Sequence, residues 1–418
     1  MSKTLVATPD PDDSKDNRPT KNSTPKLRDG VMKRGKTWSY VVRVTDPETG
    51  VSKPKWVGGF ATEDAAKAAR DEARVAARRG EYVDRNAITV AAYMEEWIES
   101  HAVEIKPKTL HGYRMLIRLY ISPRIGSMRL QAVRPATITK LYRDLLTGGG
   151  RNGKPLSPTT IAHVHTVLRK ALRDAVMIDE ILPNNPAERA KLPRSQRLEP
   201  GAIWTPAQLG QFLKAAEGHR LSAFFRLAAY TGARRGELLN LRWSDVDLEA
   251  PEIRIKGSTA VIEGKRVEGT TKSRRSRVVS LDQETAGVLR GHRARQTAEK
   301  LALGVNWKGT DDYVFTTGWG EPIYPDTVTS LVSKLISAYN TPKDGLKPKK
   351  PLPHARLHDL RHIHATTLLL AGVSVHVVAA RLGHADPAIT LRVYAHVINE
   401  QMATAADVFA SAIKEAAG

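Results

Sequence analysis

The sequence predicts a mainly α-helical chain with small β-sheets, an α+β protein of several domains. Three observations carry this expectation. The 418 residues allow two to four domains. Apolar residues recur at three- and four-residue spacing over long stretches and alternate only in a few short runs. Proline-rich, charged breaks separate the stretches.

Residues 1–28 are rich in Pro, Asp, Lys, Ser and Thr. They carry too little apolar surface to offset the entropy of ordering, so a disordered tail is expected. It has no apolar core of an export signal. Residues 29–84 read as a three-stranded sheet plus a helix. In "WSYVVRV" the side chains of Trp38, Tyr40, Val42 and Val44 alternate to one face, "DPETG" is a turn, and "TEDAAKAARDEARVAARRG" is a helix that Thr62 opens and Gly80 closes. Lys33, Arg34, Lys36, Arg43, Lys53 and Lys55 lie on its strands. A solvated basic face and a DNA-reading sheet both fit. Trp38 and Trp56 are read as strand core rather than as exposed base-stacking rings.

Residues 89–194 read as all-helical, with four amphipathic segments; Ser157 before Pro158 is a strong helix start. A linker is expected over 181–200, where "LPNNPAERAKLPRSQRLEPG" breaks the pattern. Residues 201–418 are mixed and mostly helical. "TPAQLGQFLKAAEG" and "RLSAFFRLAAYTG" are helices, "EIRIKG" and "RRSRVVSL" short strands, and helices dominate again from Asp326. The closing "ADVFASAIKEAAG" is an amphipathic helix.

A formal net charge of +21 favours a polyanionic partner, nucleic acid before a membrane surface. No apolar run approaches the eighteen or so residues of a span. Cysteine is absent, which excludes disulfides and thiolate metal sites and fits a cytoplasmic protein.

Four stretches of the last region carry chemistry. "YTGARRGELLNLRWSDVD" offers Arg234 at a helix start, with Arg235 as its neighbour. "TTKSRRSRVVSL" offers Lys272, with Arg274 and Arg275 as rivals. "LHDLRHIHATTLLLAG" offers His358 and Arg361, and "RLGHADPAITLRVYAHV" offers His384 and Tyr394. Nearly every member is a cation or a hydrogen-bond donor, so the bound group should be an anion. Arginine forks match phosphate oxygens. A tyrosine can supply the attacking oxygen, and lysine or histidine can protonate the departing one.

"TGARRGELLNL", "TKSRRSR", "HDLRH", "LGH" and "TLRVYAHV", in that order, resemble the tyrosine recombinases of the phage integrase family over roughly residues 200–400. The resemblance implies a catalytic domain at 201–418, a helical core-binding domain at 89–194 and an arm-type DNA-binding domain at 29–84. It implies that Arg234 and Arg361 clamp the scissile phosphate and that Lys272 is the general acid. His358 would be an acid/base and phosphate ligand, and His384 a hydrogen-bond partner of the phosphate or the nucleophile. Tyr394 would attack to give a 3′-phosphotyrosyl link, and Glu237 would prop the first arginine. No cofactor and no metal are implied. The implied partner is double-stranded DNA, acted on by four protomers through a Holliday junction, with an excision-directing factor and a DNA-bending host protein as accessory partners. An integrase of a temperate phage or integrative element is the leading reading. A chromosome-dimer-resolving recombinase and a tyrosine-type strand-passing topoisomerase are the alternatives.

His358 and His362 also stand four residues apart, as zinc ligands on one helix face do. The guanidinium of Arg361 between them and Asp359 in place of the glutamate of H-E-x-x-H argue against that. His362 and His364 are read as packing or polar-surface residues, and His396 has no assigned role.

Overall fold

The computed structural model describes residues 30–45, 49–79, 82–194, 204–271, 275–342, 348, 350–395, 409–410 and 413–415. These form two compact units. One holds the described residues up to Ser100 together with Met115–Arg194, and the other holds His101–Arg114 and the described residues from 204 onward.

In the first unit, β1 (Val31–Arg34), β2 (Thr37–Thr45) and β3 (Ser52–Phe60) make an antiparallel sheet in chain order. Helix α1 (Glu63–Arg78) packs on one face over Val31, Tyr40, Val42 and Phe60. Thr62 caps it, its hydroxyl accepting from the Ala65 N–H at 3.2 Å; Gly80 lies outside the described residues. Trp38 packs against this core, as read from the sequence. Trp56 does not. The register sets it opposite Val41, on the face away from Tyr40 and Val42, where it is 43 % exposed and lies 4.3 Å beneath the Arg34 guanidinium.

Residues 90–177 form α2 (Val90–His101), α3 (Pro107–Leu116), α4 (Ser122–Ile125), α5 (Pro135–Gly148) and α6 (Pro158–Met177), with a π-helical turn at Ile117–Ile121 joining α3 to α4. Ser157 caps α6 by accepting from the Thr160 N–H at 3.2 Å. The stripe Ile161, Val164, Leu168, Ala171, Leu172 and Ala175 on α6 is fully buried, as helical periodicity requires.

The second unit runs α7 (Pro206–Ala216), α8 (Ser222–Thr231), α9 (Arg235–Leu238), β4 (Val246–Asp247), β5 (Glu252–Ile255), β6 (Gly257–Ile262), β7 (Lys265–Thr270), β8 (Arg277–Ser280), α10 (Gln283–Leu303), α11 (Pro325–Asn340), α12 (Asp359–Leu370) and α13 (Val375–Leu382), with residues 387–395 again helical. Strands β4, β5 and β8 form one small sheet and β6 and β7 a hairpin. Phe212, Phe224, Phe225 and Phe315 make the centre of the core.

Two elements here were not legible. The β6–β7 hairpin turns on Glu263 and Gly264, both at positive φ (50° and 76°), without the Asn-Gly or Asp-Gly pair that announces such a turn. Helix α10 buries Thr285, His292 and Gln296, which break its apolar stripe. They are satisfied internally: Gln296 accepts from Trp243 Nε1 at 2.6 Å and donates to Thr316 Oγ1 at 2.8 Å.

Helix α8 ends at Gly232 with φ +60°, the left-handed conformation that glycine adopts without strain. A Cβ there would lie 2.7 Å from the Leu382 side chain and 2.8 Å from that of His364. Gly232→Ala should therefore lose about 1–2 kcal/mol from backbone strain, with the overlap adding to it. A denaturant titration should show a lowered midpoint, and an unchanged one would contradict the packing described.

Candidate active site

The turn at Gly232 delivers Arg234 to the start of α9, where its backbone N–H donates to Glu237 Oε2 and its Nη1 to Glu237 Oε1, both at 2.9 Å. The same guanidinium lies 3.4 Å from the Gly383 carbonyl oxygen, beside His384. Arg235 points elsewhere, donating to the Pro325 carbonyl and to Asp326 and Thr329. The two adjacent arginines are thus separated by their partners.

Glu237 is 1 % exposed and holds a second arginine. Arg277, the first residue of β8, donates to its two oxygens at 3.2 and 2.7 Å and to the Arg381 carbonyl at 3.0 Å. Burial pushes the Glu237 carboxyl upward, but the hydrogen bonds and charge of Arg277, with those of Arg234, outweigh it and hold the group below the usual carboxylate range. The basic run in "TKSRRSR" had drawn attention to Lys272, Arg274 and Arg275. Lys272 and Arg274 lie outside the described residues, and Arg275 is exposed. Arg277, the last of the run, is the one found in the cluster.

Arg361 sits in the first turn of α12 and is 4 % exposed. Its Nη1 donates to the Gly232 carbonyl at 2.7 Å and the Leu382 carbonyl at 2.9 Å. Its Nη2 is buried with no hydrogen-bond partner among the described residues. Burial and the nearby Arg234 charge push its pKa down to about 9, a large departure for a guanidinium. Among the described residues, three arginines thus gather around one carboxylate, an excess of two positive charges. Such a site is ready for an anion.

The histidines are held neutral. His358 immediately precedes α12, and burial, then the charges of His362 and Arg361, push its pKa down to about 4. His384 follows the left-handed Gly383 and hydrogen-bonds through Nδ1 to the buried Thr390 hydroxyl at 2.7 Å. Burial, then the arginines, push it to about 4 as well. Tyr394, in the helical stretch 387–395, is 2 % exposed, and burial raises its pKa to about 12.

One expectation fails. His362 is neither a packing nor a surface residue: its Nδ1 lies 2.9 Å from the Tyr394 hydroxyl, and its ring meets that of His358 edge-on at 5.1 Å. One helical turn brings both rings to the same side, and Tyr394 is positioned over the second. The i, i+4 spacing that raised the zinc question carried this signal. Among the described residues no three His, Asp or Glu side chains gather as a metal site. His364 packs against Gly232 and accepts from Arg381 Nε at 3.1 Å, as a core residue does. His396 lies outside the described residues, as does most of the closing segment 406–418.

Three family models match the chain: the phage integrase family over residues 203–401, the phage integrase N-terminal SAM-like domain over 89–146 and an arm DNA-binding domain over 31–75. The chain is 30 % identical to a "Tyrosine recombinase XerC-like" protein of Caldanaerobacter subterraneus subsp. tengcongensis, over 83 % of this chain and 89 % of that one. It is 27 % identical to the ICEBs1 integrase of Bacillus subtilis, over 74 % of this chain and 80 % of that one. In fold it is similar to the Tn1549 transposon integrase in complex with transposon right end DNA (TM-score 0.63, 21 % identity, 76 % of this chain and 100 % of that one). It is also similar to a lambda integrase tetramer bound to a Holliday junction (TM-score 0.51, 17 % identity, 88 % and 96 %).

Removing Arg277 should test the carboxylate bridge. Arg277→Met leaves Glu237 buried with one partner, at a cost of about 3–5 kcal/mol. Arg277→Lys keeps the charge but not the fork, so it should fall between. A depressed carboxyl stabilises the fold above its unfolded pKa, and that stability is lost as pH falls through the depressed folded value. In Arg277→Met the acid loss should begin at higher pH, read as thermal midpoint against pH.

Proposed function

This chain belongs to the phage integrase family and is a site-specific DNA recombinase of the tyrosine type, and on that premise we propose how its residues divide the reaction. Tyr394 attacks the scissile phosphorus and forms a 3′-phosphotyrosyl link, releasing a 5′-hydroxyl. Arg234 and Arg361 hold the non-bridging oxygens as charge builds on them. Lys272 protonates the leaving oxygen. His358 is an acid/base group and phosphate ligand, and His384 donates to the phosphate. Glu237 keeps Arg234 in place. The observation that supports this reading is the buried Nη2 of Arg361, without a hydrogen-bond partner among the described residues, in a cluster that also gathers Arg234, His358, His384 and Tyr394.

The DNA is double-stranded and is cut and rejoined by four protomers through a Holliday junction, in the cytoplasm of a bacterial host. An excision-directing factor and a DNA-bending host protein complete the reading. The arm-domain match over 31–75 favours an integrase of a phage or integrative element over a chromosome-dimer-resolving recombinase. The exposed Trp56 and Arg34 on the sheet's open face support a DNA-contacting role for that segment. Two DNA contacts on one chain make the second intramolecular, and both release counterions.

Tyr394→Phe loses only the phenolic oxygen, so it should bind DNA yet form no covalent adduct on a suicide substrate nicked beside the cut site. An adduct with this variant would remove Tyr394 from the role. Deleting residues 1–84 should leave cleavage of a core site measurable and weaken integration into a long, two-site DNA. Equal integration by both proteins, in a gel assay across a salt series, would refute the arm assignment.

A further inference from the structure

A phenol whose pKa burial has raised to about 12 is a poor nucleophile until its proton leaves, and at 2 % exposure bulk water does not take it. The base must be a side chain already in reach. Among the described residues, the hydrogen-bond partner of the Tyr394 hydroxyl is His362 Nδ1, at 2.9 Å. His384 spends its Nδ1 on Thr390, and His358 meets His362 with its ring rather than reaching the tyrosine oxygen.

We propose that His362 is the catalytic base of strand cleavage. This rests on Tyr394 being the nucleophile. As the tyrosine oxygen bonds to phosphorus, its O–H bond breaks and the proton passes to the lone pair of His362 Nδ1. The bond from phosphorus to the 5′ oxygen breaks, and that oxygen takes its proton from Lys272. On rejoining, the 5′-hydroxyl attacks phosphorus and gives its proton back to Lys272, the phosphotyrosyl bond breaks and His362 returns its proton to the tyrosine oxygen. The role requires the tautomer with its proton on Nε2, so that Nδ1 accepts. His358 is then left to the phosphate.

The surroundings suit a base that is neutral at rest. His362 is half-buried, and burial outweighs the opposing pull of Asp359, so its pKa lies below the ordinary histidine value, with Arg361 and Arg356 acting in the same sense. His358 lies against it on α12, His384 faces it from the turn after α13, and Tyr394 comes from the stretch 387–395. Asp359 is itself engaged by Arg356, at 3.0 Å, which limits its hold on the imidazole.

The test uses the full chain and suicide core-site DNA in which sulfur replaces the 5′ bridging oxygen. Sulfur leaves without a proton, so the rate of adduct formation reports deprotonation of the nucleophile. The wild type should be nearly flat from pH 7 to 9. His362→Ala should be about 10²–10⁴-fold slower at pH 7, with the deficit shrinking as pH rises and free imidazole restoring part of the rate. His362→Gln can still accept a hydrogen bond from Tyr394 but cannot take its proton, and should be as slow as His362→Ala. A deficit constant with pH, or a glutamine variant near wild type, would show that His362 only positions the tyrosine and would overturn the proposal. Gel shifts on the same DNA verify folding. If the variants fail to bind, ¹⁵N shifts of the wild-type imidazole decide, because a proton on Nδ1 of His362 also overturns it. A wild-type adduct mapped to a residue other than Tyr394 would instead sink the nucleophile assignment.

Discussion

The site depends on one buried carboxylate. Glu237 lies between Arg234 and Arg277 at hydrogen-bonding distance to both, nearly sealed from water. A lone carboxylate in that position would take up a proton, and two lone guanidinium groups would repel each other. Together they are stable, and they tie α9 to β8. Arg277 extends the tie to the Arg381 carbonyl, just before the turn that carries His384. One buried carboxylate thereby fixes Arg234 and, through Arg277, the turn that carries His384.

The second constraint is the uncompensated charge. Arg361 is buried against two backbone carbonyls, its Nη2 has no hydrogen-bond partner among the described residues, and burial with the nearby Arg234 charge holds its pKa down. The neutral histidines follow from the same field, since each would have to gain a proton beside arginines and away from water.

Away from the site, polar side chains also fix the scaffold. Arg266 donates to the Leu239 carbonyl at 2.9 Å and to the Thr259 hydroxyl at 3.0 Å, and its guanidinium lies 4.5 Å from the Tyr313 ring, where Arg242 also stacks. Glu268 accepts from both arginines. This network anchors the β6–β7 hairpin to the turn that follows α9, so strand, turn and helix hold one another in register.

The sequence by itself determined what local chemistry can write. Thr62 and Ser157 announce their helices because a hydroxyl and the next turn's N–H groups are neighbours in the chain. The apolar stripe of α6 announces its buried face. The ordered motifs around Arg234, His358, Arg361, His384 and Tyr394 carry the family. Tertiary structure decided which partners each residue of a crowd meets. Arg234 and Arg235 are indistinguishable by propensity, and they part because one meets Glu237 and Gly383 and the other the start of α11. Arg277 emerged from a basic run, and His362 from three histidines, only once partners far along the chain were in reach; Arg361 itself bonds a carbonyl 129 residues away. Trp56 left the core because pairing register, not composition, chooses a strand's face. A hydrogen bond needs both its ends, and the sequence shows one end at a time.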